Sequence, residues 1–164
     1  MYHPALDPYH SAFRMLVLLA FDPTRQYDRV ALQILDFYAI FPELVPTITF
    51  PKEHLKWKRQ FSQLTNPYWF SGEQGLVFSR MQTLQDKALD LLYAQGLLDR
   101  ENYANGKIQL NMEQFKGLDL PESALLQNKP LMQFLVTVLG RLPLHGVGGM
   151  KDRTHLLEYR YDNV

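Results

Sequence analysis

The sequence predicts a mostly α-helical chain with one small β-hairpin, and three observations carry that prediction. Two apolar helix patterns, Leu6–Leu19 and Ile34–Pro42, each hold one charged residue within the helix, Arg14 and Asp36. Val77, Met81, Leu84, Ala88 and Leu91 then step by four, three, four and three, the seam of a long helix. Beyond Gly96, Asn105-Gly106 lies between short extended segments, a strong local signal for a hairpin because a type I′ turn needs positive φ at both central residues.

The elements follow in order. Asp7-Pro8 predicts a helix start, with Asp capping free amides and Pro suited to the first helical position. The first helix runs from about Pro8 to Ala20, apolar on several sides and therefore central. The second runs from about Asp28 to Phe41, with Val30, Ile34, Phe37, Tyr38 and Phe41 on the helical period and Pro42 as its stop. A short extended connector, Thr47 to Phe50, leads to a modest helix over Lys52–Gln63. Asn66-Pro67 opens a turn, with Tyr68, Trp69 and Phe70 behind it. The long helix covers Gln82–Ala94, with Glu73–Ser79 either continuous with it or a separate helix before it, and Gly96 serves as a left-handed cap. Helix, glycine cap, two short strands and a hairpin tip is the layout of a winged helix. A further helix over about Pro121–Arg141 breaks near Asn128-Lys-Pro130; Gly146–Gly149 reads as a flexible joint and Leu156–Tyr161 as a last strand. The reading is one winged-helix-like domain over 1–164: an N-terminal helical part (about 1–65), the winged part (about 66–116), and a C-terminal helix and strand (about 117–164).

Lone charges on such apolar helices need partners, since an unpaired buried charge is costly. Arg14 and Asp36 are expected to meet, to find a backbone partner or an aromatic hydroxyl such as that of Tyr9 or Tyr38, or to be held for another chain; the alternative is that both face water at a helix edge. Aromatics make up 13% of the chain, so Tyr9, Phe13, Tyr38, Tyr68, Trp69 and Phe70 join Arg14 and Asp36 as candidate structural or partner-contact residues.

Composition narrows the function classes. Seventeen basic and seventeen acidic residues cancel, which leaves no global field for phosphate backbones. Cysteine is absent, no signal-peptide pattern opens the chain, and the longest apolar run, Met15–Phe21, is far short of a bilayer span. A cytoplasmic protein without a membrane segment is expected. The five histidines show no zinc spacing, the serines no nucleophile elbow, and Gly146–Gly149 no phosphate-loop lysine. No catalytic residue, metal ligand or cofactor site is expected, and the chain is read as no enzyme. The outward residues of a reading helix would be Gln82, Gln85, Asp86, Lys87, Asp90 and Gln95 with Arg80 nearby, too acidic for the phosphates beside a major groove. The densest basic surface is Lys52, Lys56, Lys58 and Arg59 around Trp57.

Tyr2–Arg14, Ile34–Tyr38 with Phe41-Pro42, and less specifically Phe78–Gln82 and Ala94–Leu98, resemble the middle-component family of ABC three-component conflict systems. The likeness spans roughly the first hundred residues. It implies a winged-helix accessory subunit of the kleisin-binding type, in a Lamassu-like antiviral or anti-plasmid complex. Its partners would be an SMC-like or Rad50-like ATPase and an effector, for instance a nuclease, with any DNA contact weak or made only within the complex. The competing expectation is a winged-helix DNA-binding transcriptional regulator, and a third is a small enzyme.

Overall fold

The computed structural model describes residues 7–64 and 73–158. Tyr68, Trp69 and Phe70 lie outside them. Helix α1 (Pro8–Phe21) starts where expected: Asp7 Oδ1 accepts from the amides of Tyr9 (2.8 Å) and His10 (3.3 Å), and Pro8 takes the first turn. After Asp22 the chain makes a two-residue strand, β1 (Tyr27–Asp28), and enters α2 (Arg29–Ile40). Pro42 ends that helix and a 3-10 turn follows over Pro42–Thr47. Short helix α3 (Leu55–Phe61) precedes the 22-residue α4 (Glu73–Ala94), which is one continuous helix. Then come α5 (Arg100–Ala104), β2 (Lys107–Ile108), α6 (Met112–Lys116), α7 (Glu122–Leu126), α8 (Lys129–Thr137) and α9 (Met150–Thr154).

The fold is mostly helical with a small two-stranded antiparallel sheet. Helix α1 is central, packed on α4 and α2, and Met15, Leu18, Ile34, Leu35, Phe78 and Leu89 are sealed from solvent. Phe37 meets Tyr38 and Phe78 edge to face at 5.2 and 5.7 Å, the geometry that aromatic quadrupoles favour. A second aromatic group holds α3 on α8. Phe50, Trp57 and Phe61 surround Phe134 at 5.5–5.7 Å, while Lys52, Lys56, Lys58 and Arg59 stay exposed.

The structure relocates several expected features. Asn105-Gly106 is no hairpin tip: Asn105 has φ −94° and caps α5, and only Gly106 is left-handed, at φ +74°. An antiparallel return does exist, with Leu98 opposite Leu110, the Asp99 amide on Gln109 O (2.8 Å) and the Asn111 amide on Leu97 O (2.8 Å). Its loop contains α5, and β2 pairs with β1 across the sequence, Tyr27 opposite Ile108 and Asp28 opposite Lys107. The Asp99 cap on the Asn102 amide (2.9 Å) stabilises that extra helical turn, which two-residue turn chemistry does not anticipate.

On α4 the buried stripe is Phe78, Met81, Gln85, Ala88, Leu89 and Leu92; Leu84 and Leu91 are only half-buried. The helix is therefore rotated from the apolar seam, because a glutamine sits at its centre. Gly146–Gly149 is a braced turn, not a loose joint. The Gly148 amide donates to Asp152 Oδ2 (2.7 Å), and a Cβ on Gly149 would sit 2.5 Å from His145 O. Residues 155–158 form no strand, and the rest of the Leu156–Tyr161 segment lies outside the described residues. The break at Asn128 is real: with φ +54° it separates α7 from α8.

Candidate functional site

Arg14 and Asp36 meet. Arg14 Nε donates to Asp36 Oδ1 at 2.7 Å and Nη2 to Oδ2 at 3.1 Å, a bidentate pair with Asp36 wholly buried. Nη2 also donates to Ser11 Oγ at 2.8 Å, one helical turn back. A buried pair is tolerated only when its remaining oxygens and protons are satisfied. Gln85 supplies the missing donor, its Nε2 lying 3.0 Å from both Asp36 Oδ2 and Gln33 O. Both acceptors are oxygens, so the amide orientation follows from the network. Gln85 Oε1 has no partner among the described residues.

The polar contacts continue along the α2–α4 contact. Gln82 donates to Gln33 Oε1 (3.3 Å), Gln33 to Asp86 Oδ1 (2.8 Å), and Arg29 to the same oxygen (2.9 Å). The Arg29 guanidinium sits 5.0 Å over the ring of Tyr103, whose hydroxyl donates to Asp90 and whose ring stacks on Tyr93 at 4.5 Å. Burial works against the Arg29 charge, but hydrogen bonds to Tyr103 and Asp86 outweigh it and raise its pKa. Desolvation, then the bond to Asp90, raises the Tyr103 pKa.

These contacts alter the expected roles of α4. Gln85 is buried and Gln82 and Asp86 are half-buried partners of α2, so none is an outward reading residue; Arg80, Lys87, Asp90 and Gln95 are exposed. Sequence reasoning identified Arg14 and Asp36 but missed Ser11, Gln33, Gln85 and Arg29. A signal existed: Gln33 and Asp36, three apart, and Gln82, Gln85 and Asp86 interrupt otherwise apolar stripes.

The aromatic candidates divide by burial. Tyr38 is buried and its hydroxyl pairs with Thr47, not with the ion pair; burial pushes its pKa above the usual tyrosine range, against the opposing effect of the Thr47 bond. Tyr9 is 72% exposed and Phe13 47% exposed, one turn apart on α1. Phe13 borders a cavity of about 210 Å³ between α1, the end of α2, and the α7–α8 corner. Phe13, Arg14 and Val17 form one wall and Ala39 another. The opposite side is Ala124, Gln127, Asn128, Leu131 and Met132.

Elsewhere, Thr49 Oγ1 and His155 Nε2 lie 2.9 Å apart, and Arg153 donates to Thr49 O (2.9 Å) and Gly148 O (2.7 Å). This cluster ties the C-terminal turn to the connector before α3. Among the described residues no group of three or more His, Asp or Glu converges as a metal site, and no helix is long and apolar enough to cross a membrane.

Fold and site define a helical scaffold whose notable polar groups brace its own core beside an outward apolar cleft. The family described as ABC-three component (ABC-3C) system Middle Component 5 matches residues 1–162, and the chain belongs to that family. It is thus one part of a three-component system. No curated protein and no solved structure matches the chain.

Proposed function

We propose that the protein is a non-catalytic, cytoplasmic accessory subunit that joins an SMC-like or Rad50-like ABC ATPase to an effector, for instance a nuclease. The complex would act in Lamassu-like antiviral or anti-plasmid defence. The observation that carries this reading is the middle-component family match over residues 1–162. Two structural features support it. The order α1, β1, α2, α4, then an antiparallel return whose second arm leads to the β1 partner, fits a winged-helix core with residues between α2 and α4 added. Gln82 and Gln85, two of the three glutamines expected to face a major groove, are engaged by α2, which argues against the regulator reading.

Co-expression with the two other components and affinity purification on this chain should yield a complex that survives moderate salt. A mobility-shift assay on the isolated chain should show weak, sequence-blind binding. Specific duplex binding by the isolated chain at about 10⁻⁸ M or tighter, with no protein complex, would replace the subunit with the regulator. Turnover of a substrate by the lone chain would replace both.

A further inference from the structure

Residues 52–61 carry charge that the fold leaves unpaired. Lys52, Lys56, Lys58 and Arg59 stand there against one acid, Glu53, a net charge of +3 in a chain whose total is zero. All four cations are exposed, and none forms an ion pair among the described residues. The Lys56 ammonium sits 5.6 Å from the Trp57 ring centroid, a contact that takes up none of its hydrogen-bond donors. Trp57 and Phe61, four apart on α3, stack on each other at 6.2 Å and pack on Phe134 of α8, which holds the opposite side of the helix toward solvent. Between Lys52 and Gln63 the one exposed apolar side chain is Leu55, and Gln60 and Gln63 are exposed beside the cations. Helix α4 differs, because Arg80 and Lys87 stand against Glu73, Asp86 and Asp90, a net charge of −1.

The chemistry of this face selects its partner. Lysine is depleted at protein–protein interfaces, where aromatic anchors carry much of the energy, and here the aromatic rings turn inward. Single-stranded nucleic acid is held by stacking bases on open rings, and Trp57 is already packed on Phe61 and Phe134. A row of unpaired point charges instead suits a duplex backbone, which concentrates one charge per about 1.7 Å of axis. At about 2.0 Å per residue through the 3-10 turn Lys52–His54 and about 1.5 Å along α3, Lys52 and Arg59 stand roughly 10–12 Å apart. That length of duplex holds about three phosphates of one strand. An RNA duplex is gripped across successive grooves by surfaces spanning about 16 bp, which one short strip does not reach. We propose that the exposed face of α3 contacts the backbone of double-stranded DNA. Three or four of its cations each neutralise a phosphate, and Gln60 and Gln63 offer amide donors, without regard to sequence. The proposal rests on the subunit reading for a weak, sequence-blind contact, and it deepens that reading by locating the contact on α3, away from α4.

Fluorescence anisotropy of a labelled DNA duplex of about 20 bp, titrated with the full chain between about 50 and 150 mM salt, tests it. With three or four phosphate contacts, log K should fall against log salt with a slope of about −2.7 to −3.6, so affinity drops about 20- to 50-fold over that range. Lys56→Gln with Arg59→Gln should flatten the slope by about 1.8 and weaken binding at the lower salt by at least about tenfold. The charge-retaining pair Lys56→Arg with Arg59→Lys should keep affinity and slope, which separates a role of charge from a folding defect. Arg80→Gln with Lys87→Gln on α4 should change neither. No salt-dependent binding by the unaltered chain, or an unchanged slope in the α3 glutamine variant, overturns the contact; the subunit reading then stands if the three components still co-purify. A slope flattened by the α4 variant instead moves the contact to that helix and overturns the proposal. Tighter binding to an RNA duplex or a single strand of the same length overturns it as well. Loss of a protein component by the α3 variant, with the DNA slope unchanged, would make an acidic protein surface the occupant, again overturning it. A DNA slope that depends on α3 in a chain that joins neither component overturns the subunit reading and upholds the contact.

Discussion

Replacing Arg14 by Met keeps an apolar stem of similar reach but deletes both bonds to Asp36. The carboxylate, at 0% exposure, would retain only the Gln85 donor. Removing one partner of a buried ion pair costs about 3–5 kcal/mol, and the 18% exposure of Arg14 suggests about 3, because some water reaches the vacated space. Asp36→Leu leaves a cation that can turn toward that same water and should cost about 2 kcal/mol, in the range for a lost charged hydrogen bond. The double variant has no buried charge, and Gln85 keeps its bond to Gln33 O, so its cost should be about 1–2 kcal/mol. The single costs sum to about 5, which leaves a coupling energy of about 3–4 kcal/mol. Urea unfolding of the four proteins at neutral pH, with unchanged m-values, measures it. A loss below about 1 kcal/mol for Arg14→Met, or additivity in the cycle, would show that the pair is solvated and that the buried network does not hold α1 to α2 and α4.

Three further predictions follow from the packing. Leu89→Ala should cost about 2–5 kcal/mol because Leu89 is wholly buried, whereas Leu84→Ala should cost about 1, since Leu84 is half-buried; urea midpoints would separate them. Gly149→Ala should destabilise more than Gly106→Ala by thermal melting. The first forces a Cβ to 2.5 Å from a backbone oxygen, and the second meets no atom within 4 Å and incurs only left-handed strain of about 1–2 kcal/mol. The raised Tyr38 pKa means the folded state holds that proton longer than the unfolded chain, so its contribution is complete below a pH of about 10 and is lost as pH rises further. Tyr38→Phe should therefore lose stability less steeply than the unaltered chain between about pH 10 and 11.5, by up to about 1.4 kcal/mol per pH unit in urea midpoints. Equal slopes would contradict the burial of the hydroxyl.

Local rules settled much of this protein. Asp7-Pro8, Pro42, Gly96 and Asn128 mark boundaries because caps, ring sterics and left-handed backbone act over a few residues, and each boundary lies where the sequence puts it. The cost of burying a charge fixed that Arg14 and Asp36 need partners before any partner was visible. Tertiary structure decided which partners. Nothing near Tyr27-Asp28 announces a strand, because its ladder comes from Lys107-Ile108, about eighty residues away. The hydrophobic period of α4 pointed to Leu84, yet the core took Gln85, since a buried carboxylate on α2 demands a donor more strongly than one leucine demands burial. Asn105-Gly106 has the chemistry of a tight turn, and the Asp99 cap instead used it to end a helix. The cleft beside Phe13 was equally invisible, because its walls come from four segments that only the packed fold brings together. Sequence sets what each residue requires within a few neighbours; the packed fold determines which distant group supplies it.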